Sequence, residues 1–497
     1  MATIDEIRKE RLKKLQRIQG AGDLAYPAQV KRTHTVGEAL KDFAKLSKVG
    51  KEIILAGRIR AIRGHGGSTF LNVEDGSASL TTGGTGNIQA YLKKDRVGEK
   101  PYQFFIDNFD VGDFVQIRGI LFKTKKGEKT LEIADYKILA KSLLPLPEKW
   151  HGLQDEEERY RKRYLDLLFN KEVKEKFEKR SQVIKAIREF LEKERFLEVE
   201  TPVLQSIYGG AEAKPFKTHI NAFDLDMYLR ISLELPLKKL IVGGFEKVYE
   251  IGRVFRNEGV DRMHNPDFTM LEFYWAYADY KDMMKLTEQL LVHVVKQVAG
   301  GTKVTYEDKE INFKTPWPRV EYDVLLRKYA NIDIAKENRE ALAKKAKELD
   351  VPVDAAASKA RIIDEIYKKY CRPKIWEPTF VIHHPAGSMP LAKQLDDDPT
   401  KLGTFQLLLG GGWELVKAYS ELNDPIAQRK VLEEQEGLFR KGLEDAQRMD
   451  TDFLEALEYG MPPTAGFGMG IDRLVALLTN THSLREVILF PTMKPKS

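Results

Sequence analysis

The sequence predicts an α+β protein in which a small five-stranded barrel precedes a larger domain that mixes strands and helices. Between residues 53 and 139, five short β-rich runs are separated by glycine clusters, without a long helix between them. Farther along the chain, strand-like segments alternate with amphipathic helices. A chain of 497 residues with 42% hydrophobic residues can bury more than one core. We therefore expect two or three domains.

The first element is a basic N-terminal helical arm at residues 1–50. It carries eleven basic and six acidic side chains, a net charge of +5 out of +6 for the whole chain. Its apolar residues recur at roughly helical spacing and are Ile4, Ile7, Leu12, Leu15 and Ile18. Two interpretations stay open: an amphipathic helix packed on its own protein, or a basic arm that contacts a phosphate backbone.

The barrel follows at residues 51–143, with strands predicted at 53–60, 69–74, 88–93, 114–122 and 130–139. The oligonucleotide-binding (OB) fold is the five-stranded candidate, and such barrels stack bases on aromatic side chains in a basic groove. Residues 81–87 read as a flexible loop inside the barrel. Pro145 and Pro147 disfavour helix and begin a linker that we predict to be irregular and to span residues 144–175.

The larger domain is predicted at residues 176–497. Its first helix is marked by an apolar face of Val183, Ile184, Ile187, Phe190 and Leu191. From about residue 300 to 375 the composition becomes rich in lysine and alanine, which predicts a helical insertion, and strand-like segments resume at Thr379.

Two arginines in distant segments indicate a nucleotide-using enzyme. Arg256 lies in Phe-Arg-Asn-Glu-Gly at 255–259, and Arg473 follows the alternating glycines of Gly-Phe-Gly-Met-Gly at 466–470. A guanidinium keeps its charge and presents several donors in one plane, which suits a polyphosphate. Either segment alone is compatible with a surface ion pair; together they favour a shared ligand.

The strand after residue 267 predicts a ligand-facing surface. A period of two places Phe268, Met270, Glu272 and Tyr274 on one face, and the apolar Leu271, Phe273 and Trp275 on the other. A second acidic strand carries Glu414 and Glu421. Strict alternation would put these two acids on opposite faces, so a β-bulge is required if both line one pocket.

Composition also sets limits on the class of protein. No apolar run approaches the ~18 residues of a membrane helix, and the N-terminus is charged, so we expect a cytoplasmic protein without a membrane partner. The single cysteine, Cys371, excludes an internal disulfide and a cysteine-cluster zinc site.

Three longer motifs resemble the class II aminoacyl-tRNA synthetases and, within that class, the lysyl-tRNA synthetase family. They are Arg-Asn-Glu-Gly at 256–259, His-Asn-Pro-Asp-Phe-Thr-Met-Leu-Glu-Phe-Tyr at 264–274 and Ser-Glu-Leu-Asn-Asp at 420–424. Residues 196–204, 255–274 and 466–473 resemble the three motifs of the class. The resemblance spans about residues 53–491 and implies a mixed, mainly antiparallel sheet flanked by helices, in a homodimer.

The resemblance also implies a reaction and a set of nucleotide contacts. L-Lysine would react with ATP to give lysyl-adenylate and pyrophosphate, and the lysyl group would pass to the 3′ end of tRNA(Lys). Arg256 would hold the α-phosphate and Arg473 the γ-phosphate of a bent ATP. Phe268 would stack on adenine. The other ATP-binding positions would be Glu258, His264, Asn265 and Glu414.

The remaining implied sites hold the amino acid, a metal and the anticodon. The lysine-binding positions would be Gly210, Glu234, Glu272, Tyr274, Tyr419 and Glu421. Mg²⁺ would be held at Glu414 and Gln406. In the barrel, Phe70 would stack on an anticodon base while Arg58, Gln89 and Glu128 contact base edges.

Three positions depart from the pattern of the family. The chain has Gln406 where a glutamate is usual, Lys417 where an asparagine of the amino-acid pocket is usual, and Gly387 where an acid is usual. The ammonium group of Lys417 would repel a lysine substrate unless it pairs with an acid or with the substrate carboxylate. Two alternatives therefore stay open: a related class II ligase with another amino acid or a protein acceptor, and a catalytically dead nucleic-acid-binding scaffold. The intact barrel argues against the first, and the retained Arg256, Glu258, Glu414 and Arg473 argue against the second.

Overall fold

A computed structural model describes residues 3–76, 86–147, 155–354, 357–442 and 446–496. The chain forms two compact units, Met1–Arg159 with Leu168–Lys171, and Tyr160–Leu167 with Glu172–Ser497. Residues 81–85 of the predicted 81–87 loop lie outside the described residues. Within the described ranges, no helix combines the length and apolar character needed to cross a membrane.

The first unit contains a closed five-stranded barrel, which confirms the predicted OB-fold architecture. Its strands are β1 (Ile53–His65), β2 (Ser68–Glu74), β3 (Asn87–Lys93), β4 (Phe114–Lys123) and β5 (Lys129–Ala140), in the order β1-β2-β3-β5-β4. Alternate residues of β2 and β3 are buried, as expected for strands that fill a barrel with one face. The expectation of no long helix was wrong, because a ten-residue helix, Glu99–Asn108, lies between β3 and β4 and covers the barrel with Tyr102 and Phe105.

The N-terminal segment packs on this barrel, which is the first of the two arrangements predicted for it. Its helices are α1 (Ile4–Gly20), α2 (Val36–Lys41) and α3 (Phe43–Val49). Helix α1 starts at a capping box in which Thr3 and Glu6 satisfy each other's backbone N–H groups. Ile18 is fully buried in the barrel core, and the Arg11 guanidinium donates to the carbonyl oxygens of Val111 and Leu144.

The helices after α3 continue in chain order through both units. They are α4 (Lys94–Val97), α5 (Glu99–Asn108), α6 (Glu156–Arg161), α7 (Arg163–Phe169), α8 (Lys171–Lys193), α9 (Glu234–Val242), α10 (Tyr280–Ala299), α11 (Tyr322–Ala330), α12 (Arg339–Glu348), α13 (Lys359–Ile366), α14 (Pro425–Arg440), α15 (Thr451–Glu458) and α16 (Ile471–Leu478).

The second unit is built on an eight-stranded sheet with the order β14-β15-β16-β17-β18-β11-β10-β6. Its strands, with those of two small sheets, are β6 (Leu197–Glu198), β7 (Leu204–Gln205), β8 (Lys217–Ile220), β9 (Leu225–Leu229), β10 (Lys247–Phe255), β11 (Asp267–Ala276), β12 (Lys303–Tyr306), β13 (Lys309–Asn312), β14 (Arg319–Glu321), β15 (Thr379–Ile382), β16 (Thr404–Leu409), β17 (Trp413–Ser420) and β18 (Thr464–Gly470). All neighbouring pairs are antiparallel except β14–β15 and β10–β6. The predicted mainly antiparallel sheet is confirmed.

One face of this sheet forms the largest hydrophobic core. Leu271 and Phe273 of β11 are fully buried against α10 and α16, and Phe273 stacks on Phe467 of β18 with ring centroids 4.1 Å apart. Phe268, Met270 and Tyr274 lie on the other face. The predicted division of this strand into two faces is therefore confirmed, and the second face is free to carry polar chemistry.

Two segments differ from their predicted secondary structure. Most of the predicted irregular linker from Glu156 onward is helical (α6, α7 and the start of α8), since no proline follows Pro147 to interrupt it. The first part of the predicted helical insertion forms strands β12 to β14, where Val304 and Tyr306 alternate with exposed residues; helix begins only at Tyr322. The domain boundaries themselves stay predictions.

Candidate active site

The polar face of the sheet begins at a strand-loop-strand unit. Strands β10 and β11 pair from Lys247 opposite Trp275 to Phe255 opposite Asp267, and the Arg256 N–H donates to the Pro266 carbonyl at 2.9 Å. This closure fixes the backbone at Arg256 beside the sheet.

The loop beyond it holds three of the predicted nucleotide positions in different settings. Glu258 and His264 are exposed, and the His264 ring lies 3.0 Å from the Asp261 carboxylate. Asn265 is buried and donates to the Asp267 carbonyl. The structure therefore leaves Glu258 and His264 accessible at the rim, whereas Asn265 also supports the loop.

The Arg256 guanidinium lies over the sheet face. Its Cζ is 5.2 Å from the centre of the Phe268 ring, and its Nε donates to the Ile231 carbonyl at 3.3 Å. Burial lowers the pKa of Arg256, and the positive charge of Arg473 contributes to that lowering. The two predicted arginines thus lie close enough to repel each other, in a site that holds no carboxylate ion-paired with either guanidinium among the described residues.

Arg473 is positioned by the residue before it. Asp472 is buried in the first turn of α16. Its carboxylate accepts a hydrogen bond from the Thr269 N–H of β11 at 2.9 Å and forms an ion pair with Arg180 of α8. The helix start is therefore tied to the sheet, and Arg473 Nη1 reaches the Glu414 carbonyl at 2.9 Å. Burial lowers the pKa of Arg473, while the charge of Glu414 opposes this shift.

Strand β17 contains the bulge that the acidic pattern requires. Leu407 of β16 pairs with Val416 whereas Leu408 pairs with Glu414, so Leu415 is an extra residue. Leu415 and Val416 are consecutive buried residues of the main core. This shift brings Glu414 onto the face that carries Lys417 and Tyr419, and the conditional prediction of a bulge is confirmed.

Next to the arginines lies a pocket of buried carboxylates. Glu272 of β11 is 3% exposed, and its Oε1 accepts the Ser232 hydroxyl and the Leu233 N–H, each at 3.0 Å. Its Oε2 accepts the Tyr274 hydroxyl at 3.3 Å. Burial and the charge of Glu234 raise the pKa of Glu272 to about 7, although the hydrogen bonds from Leu233 and Ser232 oppose the shift.

Glu234 and Glu421 share a buried lysine in this pocket. The Lys238 ammonium lies 2.5 Å from Glu234 Oε1 and forms an ion pair with Glu421 Oε2. Glu234 Oε1 also accepts the Tyr419 hydroxyl at 2.8 Å. Burial raises the pKa of Glu421 well above its usual value, because the single charge of Lys238 does not offset it. Burial alone would lower the pKa of Lys238, but the charges of Glu234 and Glu421 outweigh this effect and raise it.

Two glycines make room for these side chains. A Cβ on Gly466 would collide with Glu421 Oε1 and lie 2.5 Å from the Tyr274 ring. Gly210 has a φ of +83°, and a Cβ there would lie 2.8 Å from the Ser232 hydroxyl and 2.9 Å from Glu234. Close packing therefore favours glycine at both positions, and the positive φ at Gly210 favours it there as well.

The predicted metal positions differ in chemistry. Gln406 accepts the Tyr367 hydroxyl at 3.0 Å and donates to Glu414 Oε2 at 3.2 Å, and that oxygen also lies 3.4 Å from Arg372 Nη1. Magnesium takes six oxygen ligands and prefers carboxylates and phosphates. The Glu414 carboxylate, beside a Gln406 amide whose oxygen and nitrogen are both hydrogen-bonded, fits a magnesium ion that takes its other ligands from phosphate and water. These residues do not fit a second magnesium ion bound by protein carboxylates.

Sequence reasoning missed four residues of the site. Ser232, Lys238, Arg372 and Asp472 were not among the predicted positions. Lys238 follows Glu234 by four residues in α9, so the helical spacing of an acid and a base was a usable signal. Arg372 comes from a distant 3₁₀ turn, Arg372–Lys374, and no local pattern points to it.

The predicted anticodon residues lie on or beside the outer face of the barrel. Phe70 of β2 is half-buried and stacks on Tyr91 of β3 with centroids 4.7 Å apart; Gln89, also on β3, donates to Thr130. Arg58 stacks over Phe114 at 4.3 Å. Glu128 is exposed in the turn before β5. Tyr91 was missed, although it follows Gln89 by two residues and so lies on the same face of β3, where it pairs with Phe70 of β2.

Comparisons with known proteins match both units. Residues 155–494 match the family model for tRNA synthetases class II (D, K and N), and residues 53–139 match the model for an OB-fold nucleic acid binding domain.

Several relatives are similar over almost the whole chain. A lysine–tRNA ligase of Carboxydothermus hydrogenoformans is 48% identical, with 99% of each chain covered. Those of Pelotomaculum thermopropionicum and Thermotoga maritima are 46% and 45% identical over 99% of this chain and 96% and 97% of theirs.

Replacement of Gly466 by alanine tests the packing at the acid pocket. Gly466→Ala should lower the free energy of unfolding by about 1–3 kcal/mol, because the new methyl group overpacks Tyr274 and Glu421. Gly468→Ala is the matched control, since its Cβ would lie 3.5–3.9 Å from its neighbours. Urea unfolding of both variants checks this; equal stability of the two would contradict the close contact at Gly466.

Proposed function

Because the chain belongs to the class II tRNA synthetases (D, K and N), we propose that it is a lysine–tRNA ligase, which activates L-lysine with ATP and transfers it to tRNA(Lys). The lysine–tRNA ligases that it resembles match it from end to end at 45–48% identity. The site has the chemistry that such a reaction needs: guanidinium groups for a polyphosphate, next to a pocket of buried acids.

The charge balance of the acid pocket supports lysine as the amino acid. Three buried carboxylates, Glu234, Glu272 and Glu421, face one resident ammonium, that of Lys238. One ammonium cannot neutralise three carboxyl groups, and the pKa values of Glu272 and Glu421 are raised as a result of burial. Lysine carries two ammonium groups, which would stabilise two of these acids in their ionised form. A substrate without a side-chain amine would leave a buried acid unpaired, which costs free energy and gives selectivity.

Each acid has a distinct role in this proposal. Glu272 and the Gly210 backbone hold the α-ammonium group of lysine. Glu234 and Glu421 hold the ε-ammonium group, with the Tyr274 and Tyr419 hydroxyls completing its surroundings. Lys238 keeps the two side-chain acids together in the absence of substrate, and is a positioning residue.

ATP lies over the neighbouring part of the sheet. Phe268 stacks on adenine, and Glu258, His264, Asn265 and the backbone at Glu414 hold the nucleotide. Arg256 binds the α-phosphate and Arg473 the γ-phosphate. Both guanidiniums lack an ion-paired carboxylate among the described residues, so a phosphate supplies the missing negative charge.

Adenylate formation then needs no protein base. A lysine carboxylate oxygen attacks the α-phosphorus, the bond from phosphorus to the bridging oxygen breaks, and pyrophosphate leaves with the bonding electron pair. Arg256 stabilises charge on the α-phosphate and Arg473 on the leaving group, so catalysis comes from positioning and electrostatics. The ribose hydroxyl of tRNA displaces AMP in the second step.

Magnesium belongs to this proposal as the partner of ATP. The metal would neutralise phosphate charge when bound, and Glu414, with Gln406 beside it, is the carboxylate available to it. The homodimer and the cytoplasmic location stay predictions.

The barrel would read the anticodon. Phe70 and Tyr91 offer a pair of half-buried rings for base stacking, and Arg58, Gln89 and Glu128 offer polar groups for base edges.

Arg256 provides the most direct test of the nucleotide site. Arg256→Ala should lower lysine-dependent ATP–pyrophosphate exchange at least about 100-fold, since it removes the α-phosphate cation. Arg429→Ala is the control, because Arg429 forms an exposed ion pair with Glu458. Exchange within twofold of the unaltered protein in Arg256→Ala would exclude the phosphate role.

Lysine binding should depend on pH through Glu272. Its carboxyl has a pKa of about 7, so it is increasingly protonated below that pH and must lose the proton to pair with the α-ammonium group. The dissociation constant for lysine should rise about fivefold from pH 7 to pH 6 and about tenfold per pH unit well below the pKa, while it changes little above pH 8. Calorimetric titration in buffers of different ionisation enthalpy should also show proton release near pH 7. Glu272→Gln should remove the part of the pH dependence that is centred near pH 7; a flat profile in the unaltered protein would contradict the assignment.

Substitution of Phe70 should affect tRNA charging without affecting amino acid activation. Phe70→Ala should reduce tRNA charging about 10- to 100-fold, the loss of one base stack, and leave ATP–pyrophosphate exchange unchanged. Ile106→Ala is the control, because Ile106 is exposed on α5 of the same barrel. An equal loss in both assays would mean that Phe70 supports the fold.

A further inference from the structure

Lys417 lies at the centre of the nucleotide face of the sheet. It is half-buried on β17, directly between Gln406 of β16 and Gly468 of β18 in the strand register. The bulge at Leu415 places it on the same face as Glu414 and Tyr419. No hydrogen bond or ion pair joins its ammonium group to any other described residue. A half-buried ammonium without an ion-pair partner among the described residues is available to an anionic ligand.

The surroundings of Lys417 do not supply that anion. Its charge acts on Glu414, whose pKa is lowered by Arg372, Lys417 and Arg473 against the effect of burial. The Glu414 carboxylate already accepts from Gln406 and pairs with Arg372. The charge of Lys417 also acts on His384. Burial and Lys417 together lower the pKa of His384 to about 4, so the imidazole is neutral at pH 7.

This corner of the site is therefore unusually rich in positive charge. The cations are Arg372, Lys417 and Arg473, and all three act on the carboxylate of Glu414. The other acid near this corner is Asp364, which forms an ion pair with Lys368. A metal ion held by protein carboxylates would need at least one more acid, and the residue whose side chain meets the Glu414 carboxylate from β16 is Gln406, an amide that donates to it.

We propose that Lys417 binds the β- and γ-phosphates of ATP in place of a second protein-held magnesium ion, so that this site binds ATP with a single divalent cation. The inference rests on the ATP-binding part of the proposed function. An ammonium is a fixed unit charge with three donors, which suits phosphate oxygens. When the α-phosphorus–oxygen bond breaks, negative charge grows on the leaving pyrophosphate, and Lys417 stabilises that charge.

The amino acid carboxylate is the other anion that could pair with Lys417. The phosphates are favoured because Lys417 lies opposite Gln406, which donates to Glu414, and the Glu414 carbonyl accepts from Arg473. Glu272, the acid proposed for the α-ammonium group, lies one strand farther away, beyond Gly468. The two anions are separated by measuring nucleotide and lysine affinity independently.

The experiment counts bound metal directly. The purified protein is saturated with β,γ-methylene-ATP, without lysine, and titrated with MnCl₂, and bound Mn²⁺ is measured by electron paramagnetic resonance. The expected count is one Mn²⁺ per nucleotide. The double variant Gln406→Glu with Lys417→Asn creates a carboxylate pair and removes the ammonium, and should bind two. Lys417→Arg keeps the charge and should bind one.

Affinities provide the second readout. Lys417→Asn should weaken binding of the metal–nucleotide complex at least tenfold and leave lysine affinity within twofold, whereas Lys417→Arg should retain nucleotide affinity within about threefold.

Three outcomes would overturn the proposal. They are two or more Mn²⁺ per nucleotide in the unaltered protein, one in the double variant, or a loss of lysine affinity without a loss of nucleotide affinity in Lys417→Asn. The count of the unaltered protein decides even if a variant fails to fold. A count of one without lysine-dependent exchange would contradict the proposed function but not this inference.

Discussion

Uncompensated charge on one face of an antiparallel sheet is the constraint on which the site depends. Glu234, Glu272 and Glu421 are almost fully buried with a single ammonium among them, whereas Arg256 and Arg473 are held close to each other. Burial raises the pKa values of Glu272 and Glu421 and lowers those of Arg256 and Arg473, because ionised groups without a partner are costly there. The ammonium groups of lysine would stabilise the ionised acids and the phosphates of ATP would stabilise the arginines, so the two ligands suit one site.

The scaffold keeps these charges apart and in place. The β17 bulge brings Glu414 to the nucleotide side, while Gly466 leaves space for Glu421 and Tyr274 on the amino acid side. Asp472 ties α16 to the sheet, so that Arg473 projects from a fixed helix start. The hydrophobic face of the same strands provides the rigidity, because Leu271 and Phe273 are fully buried between those polar positions.

Much of this arrangement follows from local pattern. The period of two along β11 assigned both of its faces, and the spacing of Glu414 and Glu421 required a bulge if both were to line one pocket; strand β17 contains that bulge. Local pattern could not reach contacts made across the fold. Arg372 arrives from a turn some forty residues before Glu414, and the role of Lys238 depends on Glu421 of another strand. The helices within residues 156–175 were missed because two prolines were taken to govern a stretch that lies beyond them.

The measurement that tests the account most directly is ATP–pyrophosphate exchange with each of the twenty amino acids in turn. Charge balance in the acid pocket predicts exchange with lysine and at least about 100-fold less with any amino acid that lacks a side-chain cation, since a buried carboxylate would stay unpaired. Arginine is the sharpest competitor, because it carries the charge but a longer and planar group. Exchange that is absent with lysine, or equal with an uncharged amino acid, would contradict the account.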